Sequence, residues 1–211
     1  LNYLNSLSKE LSFEVVAITI SHGIRKNGES DANFVVDYCN KNNIRVYKFK
    51  INSLSIAKEN GESVESAARY GRYNVFETVL KKHIVDKIAL AHHRSDQAET
   101  ILMHLFRGSG ITGLKGMQIY RDDKFIRPML YTGEKEIWQY VCENDIPFVE
   151  DETNQDNEYN RNYIRNEILP LIEKRWPNAI NSIINFSTLA NQDDEFIYSQ
   201  VPTDLFIVED N

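Results

Sequence analysis

Three short apolar runs alternate with stretches whose apolar residues recur every three or four positions. EVVAITI (14–20), IRVYKFKI (44–51) and DKIALAHH (86–93) read as strands. The first and third are nearly continuously apolar, as in a sheet covered on both faces. Between them, Ser30 is placed to cap a helix that turns Phe34, Val35, Tyr38 and Cys39 inward, and Ser63 to cap another carrying Val64, Ala68, Val75, Phe76 and Val79. The opening LNYLNSLSKEL reads as an amphipathic helix running into the first strand. Strand, helix, strand, helix, strand predicts an α/β fold with a doubly wound, mostly parallel sheet, here followed by a C-terminal helical appendage.

After the third strand, the spacing predicts a helix over 96–106 that buries Ala98, Ile101, Leu102 and Leu105, with Asp96 and Glu99 together on another face of its first turn. Spacing alone leaves two readings of that pair. Asp96 as N-cap with Glu99 at the third helical position is a capping arrangement that suits the helix dipole; alternatively, and compatibly with a cap, the two carboxylates hold a cationic substrate group or a metal. His92 and His93 end the strand, where ligands bind in open α/β sheets, and read equally as a hydrogen-bonded strand end. Arg107-Gly108-Ser109-Gly110 is a helix C-cap that could also turn backbone N–H groups toward an anion. Arg69 and Arg72 lie one turn apart in GESVESAARYGRY (61–73), and Arg161 and Arg165 lie at i, i+4 near the end. Each arginine pair is either a salt-bridged helix face or a phosphate-facing one.

Composition narrows this. With 211 residues, 42% hydrophobic and 26% charged, the chain can bury a core and form one main domain plus an appendage. No apolar run approaches the roughly 18 residues that span a bilayer, and the first residues lack the flanks of a signal peptide, so a cytoplasmic protein without membrane contact is expected. The net charge of −7 favours a small-molecule enzyme over a nucleic-acid binder. Yet acids concentrate at 150–158 and 193–195, whereas Arg69, Arg72, Arg94, Arg107, Arg161 and Arg165 fall in the candidate segments, which leaves room for a local basic cleft. Cys39 and Cys142 are far apart, and no metal-ligand set is assigned. No Walker-type or Gly-x-Gly-x-x-Gly sequence occurs, and the chain starts without the strand and phosphate-binding turn that such a sheet normally presents, so both are expected upstream of Leu1.

HHRSDQAETILMHLFRGSGITGLKGM (92–117), ISHGIR (20–25), ESAARYGRY (65–73) and DETNQDNEYNRNYIRNEILP (151–170) together resemble the tRNA(Ile)-lysidine synthetase family of the N-type ATP-pyrophosphatase, or PP-loop, superfamily. The resemblance covers residues 1 to about 190. It implies a Rossmann-like, adenine nucleotide alpha hydrolase-like fold, with a catalytic domain over 1–175 and, over 176–211, a linker helix and the start or remnant of a following domain. The family's Ser-Gly-Gly-x-Asp-Ser loop for ATP is absent and would precede Leu1.

The resemblance also implies a reaction. ATP and Mg2+ adenylate carbon 2 of the wobble cytidine in an isoleucine tRNA with a CAU anticodon, and L-lysine then displaces AMP, which changes decoding from AUG to AUA. On this reading Arg72, His92, Asp96 and Glu99 are the catalytic candidates. His22, Arg25, Arg72 and His92 meet the nucleotide. Asp96 and Glu99 recognise lysine or activate its amine, and Arg107, Gly108, Ser109, Gly110, Arg161 and Arg165 contact the RNA. A homodimer is one oligomeric arrangement. Two alternatives stay open: another PP-loop tRNA-modifying or amidating enzyme, with the placement of Cys39 and Cys142 speaking against a thiolase, or a non-catalytic RNA-binding fragment.

Overall fold

The structure, a computed structural model, describes residues 1–24 and 27–201. The chain forms two compact units, Leu1–Ile88 and Ala89–Asn211.

In the first unit, helix α1 (Asn2–Leu11) leads into strand β1 (Val16–Ser21), followed by α2 (Gly28–Lys41), β2 (Arg45–Lys50), α3 (Ser53–Asn60) and α4 (Val64–Lys81). β1 and β2 pair in parallel from Val16↔Arg45 to Ser21↔Lys50. The ladder continues past the strand ends, because Ile51 N–H donates to Ser21 O at 2.8 Å and Ser53 N–H to His22 O at 3.1 Å. Burial alternates along β1: Ala17, Thr19 and Ser21 are buried and Val16, Ile18 and Ile20 half-buried. The small residues allow close approach, and Ala17 packs with Cys39 and Ile44. Ser30 is not the cap it was expected to be. α2 begins two residues earlier, at Gly28, so Ser30 lies inside the first turn.

Ser63 does cap α4, its hydroxyl accepting from Ser66 N–H at 3.1 Å. That helix buries Ala67, Ala68, Gly71, Phe76 and Val79. Gly71 is set by packing: a Cβ there would stand 2.9 Å from Ile51 Cγ2 and 3.1 Å from its Cδ1. α4 approaches the end of β2 this closely because nothing projects from Gly71.

The expected third strand is two residues long. β3 (Ile88–Ala89) belongs to a three-stranded sheet of order β3-β5-β4, with β4 (Tyr120–Arg121) and β5 (Phe125–Ile126) antiparallel. Leu90 N–H still donates to Ile126 O at 2.9 Å, after which the backbone leaves the ladder to enter α5 (Arg94–Phe106). Then come α6 (Ile111–Leu114), α7 (Glu134–Glu143), a 3-10 turn (Glu152–Gln155), α8 (Asn160–Tyr163), one π-helical turn (Ile164–Ile168), α9 (Leu169–Arg175) and α10 (Ala179–Ser199).

Ala98 and Leu102 of α5 pack with Ile164 and Leu169, and Ile180 and Ile183 of α10 close over them. Ala98, Ile101 and Leu102 are buried as expected, but Leu105 is 51% exposed. The last turn of α5 overhangs this core, and the places its apolar periodicity left open are taken by buried Gln97 and Glu99. α10, expected as a linker helix, is tied to the second unit. Asp194 accepts from Thr112 Oγ1 at 2.8 Å and from Lys115 Nζ at 2.6 Å, and Ser187 Oγ donates to Lys115 O at 2.7 Å. Among the described residues no helix is long and apolar enough to cross a membrane.

Candidate functional site: a carboxylate–arginine cluster

α5 places the first two site residues. His93, in extended conformation, occupies its N-cap position, and Asp96, at the third helical position, reaches back to accept from His93 N–H at 2.9 Å. Asp96 is therefore the reach-back partner of the cap rather than the cap itself, one turn earlier than spacing suggested. Glu99 lies one turn on and is 0% exposed.

An isolated buried carboxylate would cost several kcal/mol, and this one is compensated from α8 and the π turn. Arg161 donates through Nε to Glu99 Oε2 at 2.8 Å, and through Nη2 to Thr100 Oγ1 at 2.9 Å and Asp96 O at 3.2 Å. Arg165 donates through Nε to Glu99 Oε1 at 2.6 Å, and through Nη2 to Glu99 Oε2 at 2.9 Å and Asp96 Oδ1 at 3.1 Å. Burial would lower the Arg165 pKa, but the hydrogen bond and charge of Glu99, with Asp96 and Glu134 behind them, outweigh it and raise it. Both arginine side chains remain about a third exposed, at 31% and 33%.

The run YNRNYIRNE uses both faces of its helix. While Arg161 and Arg165 turn toward α5, Asn162 donates to Thr153 O and Asp156 O, and Asn166 donates to Asn154 O and Asn157 Oδ1. The polar loop before α8 is thereby fastened to the helix that carries the arginines. Beside the cluster a cleft of about 840 Å3 is lined by His93, Arg94, Glu99, Glu134, Arg165 and Glu173, among others. Its wall carries both signs of charge, which suits a zwitterion better than a simple anion.

The remaining expected residues are placed as follows. His92, half-buried, accepts at Nδ1 from Arg127 Nε at 3.2 Å. Gly108 ends α5 with φ +74°, its N–H bonded to Leu105 O at 3.0 Å while Ser109 N–H bonds His104 O at 3.0 Å, so the C-cap reading holds. Arg107 is exposed, and Gly110 occupies the N-cap position of α6. In the first unit, His22 stands at the end of β1 with Nδ1 3.3 Å from the buried Ser53 Oγ. The turn after it needs Gly23, at φ +67°, with Ile51 O 3.0 Å from where a Cβ would be. Arg72 is exposed on α4; desolvation first and the charge of Arg69 second push its pKa down. Arg69 itself stacks over the Tyr73 ring at 5.1 Å. Arg25 lies outside the described residues.

Two residues went unnoticed in the sequence. Buried Gln97 clamps the backbone of Met117, donating to its carbonyl at 2.9 Å and accepting from its N–H at 2.8 Å. Gly116, at φ +65°, makes room, since a Cβ there would meet the Gln97 amide at 2.8 Å. Buried Arg127 holds His92 and also Gln118 O, at 2.7 Å. A lone arginine inside the apolar run FIRPML was the available signal. Among the described residues no group of three or more His, Cys, Asp or Glu side chains is placed to hold a metal ion.

Comparison with known proteins follows the same lines. The PP-loop domain family matches residues 1–172. The tRNA(Ile)-lysidine synthase of Thermosipho africanus is 35% identical over 209 residues, covering 99% of this chain and 49% of its own length. That of Clostridium tetani is 38% identical over 186 residues, 88% of this chain and 40% of its own, and that of Haemophilus ducreyi 42% over 164 residues, 76% and 37%. The chain thus spans less than half the length of these curated relatives. Among solved structures, the U34-tRNA thiolase NcsA from Methanococcus maripaludis with its [4Fe-4S] cluster superposes with a TM-score of 0.70 at 17% identity, over 99% of this chain and 71% of that one, a likeness of fold. With its parallel β1–β2 pair, its helical C-terminal part and a domain match over most of its length, the chain belongs to the PP-loop domain family.

Proposed function

We propose that this chain is the ATP-using part of a tRNA(Ile)-lysidine synthase, which joins L-lysine to carbon 2 of the wobble cytidine in an isoleucine tRNA with a CAU anticodon. The observation that carries the reading is the set of relatives bearing that name, 34–42% identical across most of this chain.

In the first step the oxygen on cytidine carbon 2 attacks the α-phosphorus of ATP, and pyrophosphate leaves. In the second, the lysine amine attacks carbon 2 and AMP leaves with the oxygen, while the amine proton passes to a base. Arg72 and His92 meet the charge that develops on the phosphate, where cationic and N–H donors stabilise a transition state most. His22 and Arg25 belong to the same nucleotide-binding set.

Lysine enters the cleft beside Glu99. Its carboxylate faces Arg94 and Arg165, and its amines face the acidic wall. Asp96 and Glu99 serve lysine recognition by fixing the two guanidinium groups, while the acids of the cleft wall, Glu134 and Glu173, favour the cationic amine and receive its proton. The outer edges of Arg161 and Arg165, with Arg107 and the Gly108-Ser109-Gly110 turn, meet the anticodon loop, since sequence-specific RNA recognition targets unstacked loops. Mg2+ commonly accompanies ATP in such chemistry. The described residues offer no cluster for it, and the roles given above do not involve the ion.

The test is nucleoside mass analysis of the isoleucine tRNA transcript after incubation of the full-length gene product with ATP, Mg2+ and lysine. A methionine tRNA transcript with the same anticodon is the control. A lysine-sized gain on the wobble cytidine of the first transcript alone is expected. Absence of that gain sinks the reading and points to another PP-loop substrate.

A further inference from the structure

Arg127 follows β5 and is 4% exposed, among the few charged side chains buried in the second unit. Its backbone N–H donates to Ile119 O at 2.9 Å and its Nη1 to Gln118 O at 2.7 Å, so the backbone and the side chain are each pinned to the 118–119 segment. From that position Nε points at His92 Nδ1, 3.2 Å away.

The chemistry of the pair is one-sided. A guanidinium has five N–H donors and no acceptor, and it keeps its proton throughout the accessible pH range. A ring nitrogen that faces it must present a lone pair. We infer that Arg127 is a positioning residue for His92, holding it as the neutral tautomer with the proton on Nε2, so that His92 serves the reaction as a hydrogen-bond donor and not as a general base.

The inference rests on the proposed reaction only for what His92 does there; the tautomer follows from the geometry alone. With Nδ1 occupied by Arg127 and the proton on Nε2, the ring has no lone pair left to accept a substrate proton. Protonating Nδ1 would set an N–H against the guanidinium N–H, replacing a hydrogen bond by repulsion between two cations. A ring held this way can act toward the reaction only as an Nε2–H donor, the group needed beside a phosphate oxygen that gains charge. Buried second partners of this kind fix both the tautomer and the orientation of functional histidines.

The experiment uses the full-length protein labelled with 15N-histidine, with His92 assigned through a His92→Gln variant. Long-range proton–nitrogen correlation separates a protonated ring nitrogen from a bare one. His92 is expected to show bare Nδ1 and protonated Nε2, and to keep that pattern in Arg127→Lys, which retains the cationic donor. In Arg127→Met the pattern should give way to a mixture or to Nδ1–H. Pyrophosphate release should then fall about tenfold or more with KM for ATP little changed, as for loss of a group acting in the transition state. Nδ1–H in the wild-type protein overturns the proposal whatever the activity. An unchanged Nε2–H tautomer in a folded Arg127→Met variant overturns it as well. If that variant does not fold, the wild-type and Arg127→Lys spectra still decide. A wild-type protein with the expected tautomer but no pyrophosphate release would count against the proposed reaction, leaving the tautomer assignment standing.

Discussion

Arg165 grips Glu99 with a fork, Nε 2.6 Å from Oε1 and Nη2 2.9 Å from Oε2, across 66 residues of sequence. Arg161 closes on the same carboxylate from the preceding turn, so one buried acid organises two arginines and the loop fastened to their helix.

Replacing Glu99 by Gln keeps the shape and removes the charge, which leaves two guanidinium groups facing each other. The expected loss is about 2–3 kcal/mol, below the full value for breaking a buried pair because both arginines are partly solvated. Asp96→Ala should cost about 1 kcal/mol, as for a cap. Urea midpoints measure both, and an unchanged midpoint for Glu99→Gln would show that the cluster carries no stability. Both variants should also lose lysine transfer; full activity in both would leave the pair with a structural role only.

Arg72→Ala should slow pyrophosphate release in reactions without lysine, while leaving the fold intact because the side chain is exposed. Release at the wild-type rate would remove Arg72 from the nucleotide site.

The Asp194 carboxyl is held below its ordinary pKa by the hydrogen bond from Lys115, then by that from Thr112. A depressed carboxyl contributes stability that is fully present above its unfolded pKa and is lost as pH falls through the folded one. Asp194→Asn should therefore be less stable than wild type at neutral pH, with the difference shrinking in acid below the ordinary carboxylate range. Thermal melts across that range check it, and parallel curves would show that the link between α6 and α10 carries no pH-dependent stability.

Helix propensity alone favours Gly71→Ala by about 1 kcal/mol. The 2.9 Å approach to Ile51 reverses the sign, and the variant should be destabilised. In an Ile51→Ala background, where both crowding atoms are gone, the same change should cost less or become favourable. Additive effects in that double-mutant cycle would rule the contact out.

Gln97→Ala removes two hydrogen bonds to the backbone of half-buried Met117, at about 1–3 kcal/mol. Faster hydrogen exchange confined to 115–118 is the expected local sign. Exchange unchanged there would mean that the turn is held by other contacts.

The apolar pattern of the chain was enough to place β1, β2 and α4 and to turn Ala98, Ile101 and Leu102 of α5 inward, since each reflects a local run or period of apolar residues. It was enough for the Ser63 cap and the Gly108 C-cap, where one residue type meets one backbone demand. It misplaced the start of α2, because Asn27, Gly28 and Ser30 all tolerate a helix N-terminus. It also overestimated β3, whose apolar second half serves as the entry to α5.

The candidate site was legible as residue types and not as partners. Asp96, Glu99, Arg161 and Arg165 stood out, but spacing within a helix says only which side chains share a face. The sequence by itself determined the α/β order of elements, the Ser63 cap, the Gly108 C-cap and the motifs that mark the PP-loop family. Only the tertiary structure decided that the acids on α5 meet the arginines more than 60 residues on, that Gln97 and Arg127 are buried clamps, and that Gly71 and Gly116 are demanded by close neighbours. A buried charge or amide is stable only where its partner is delivered across the fold. That delivery depends on packing, which no local pattern encodes.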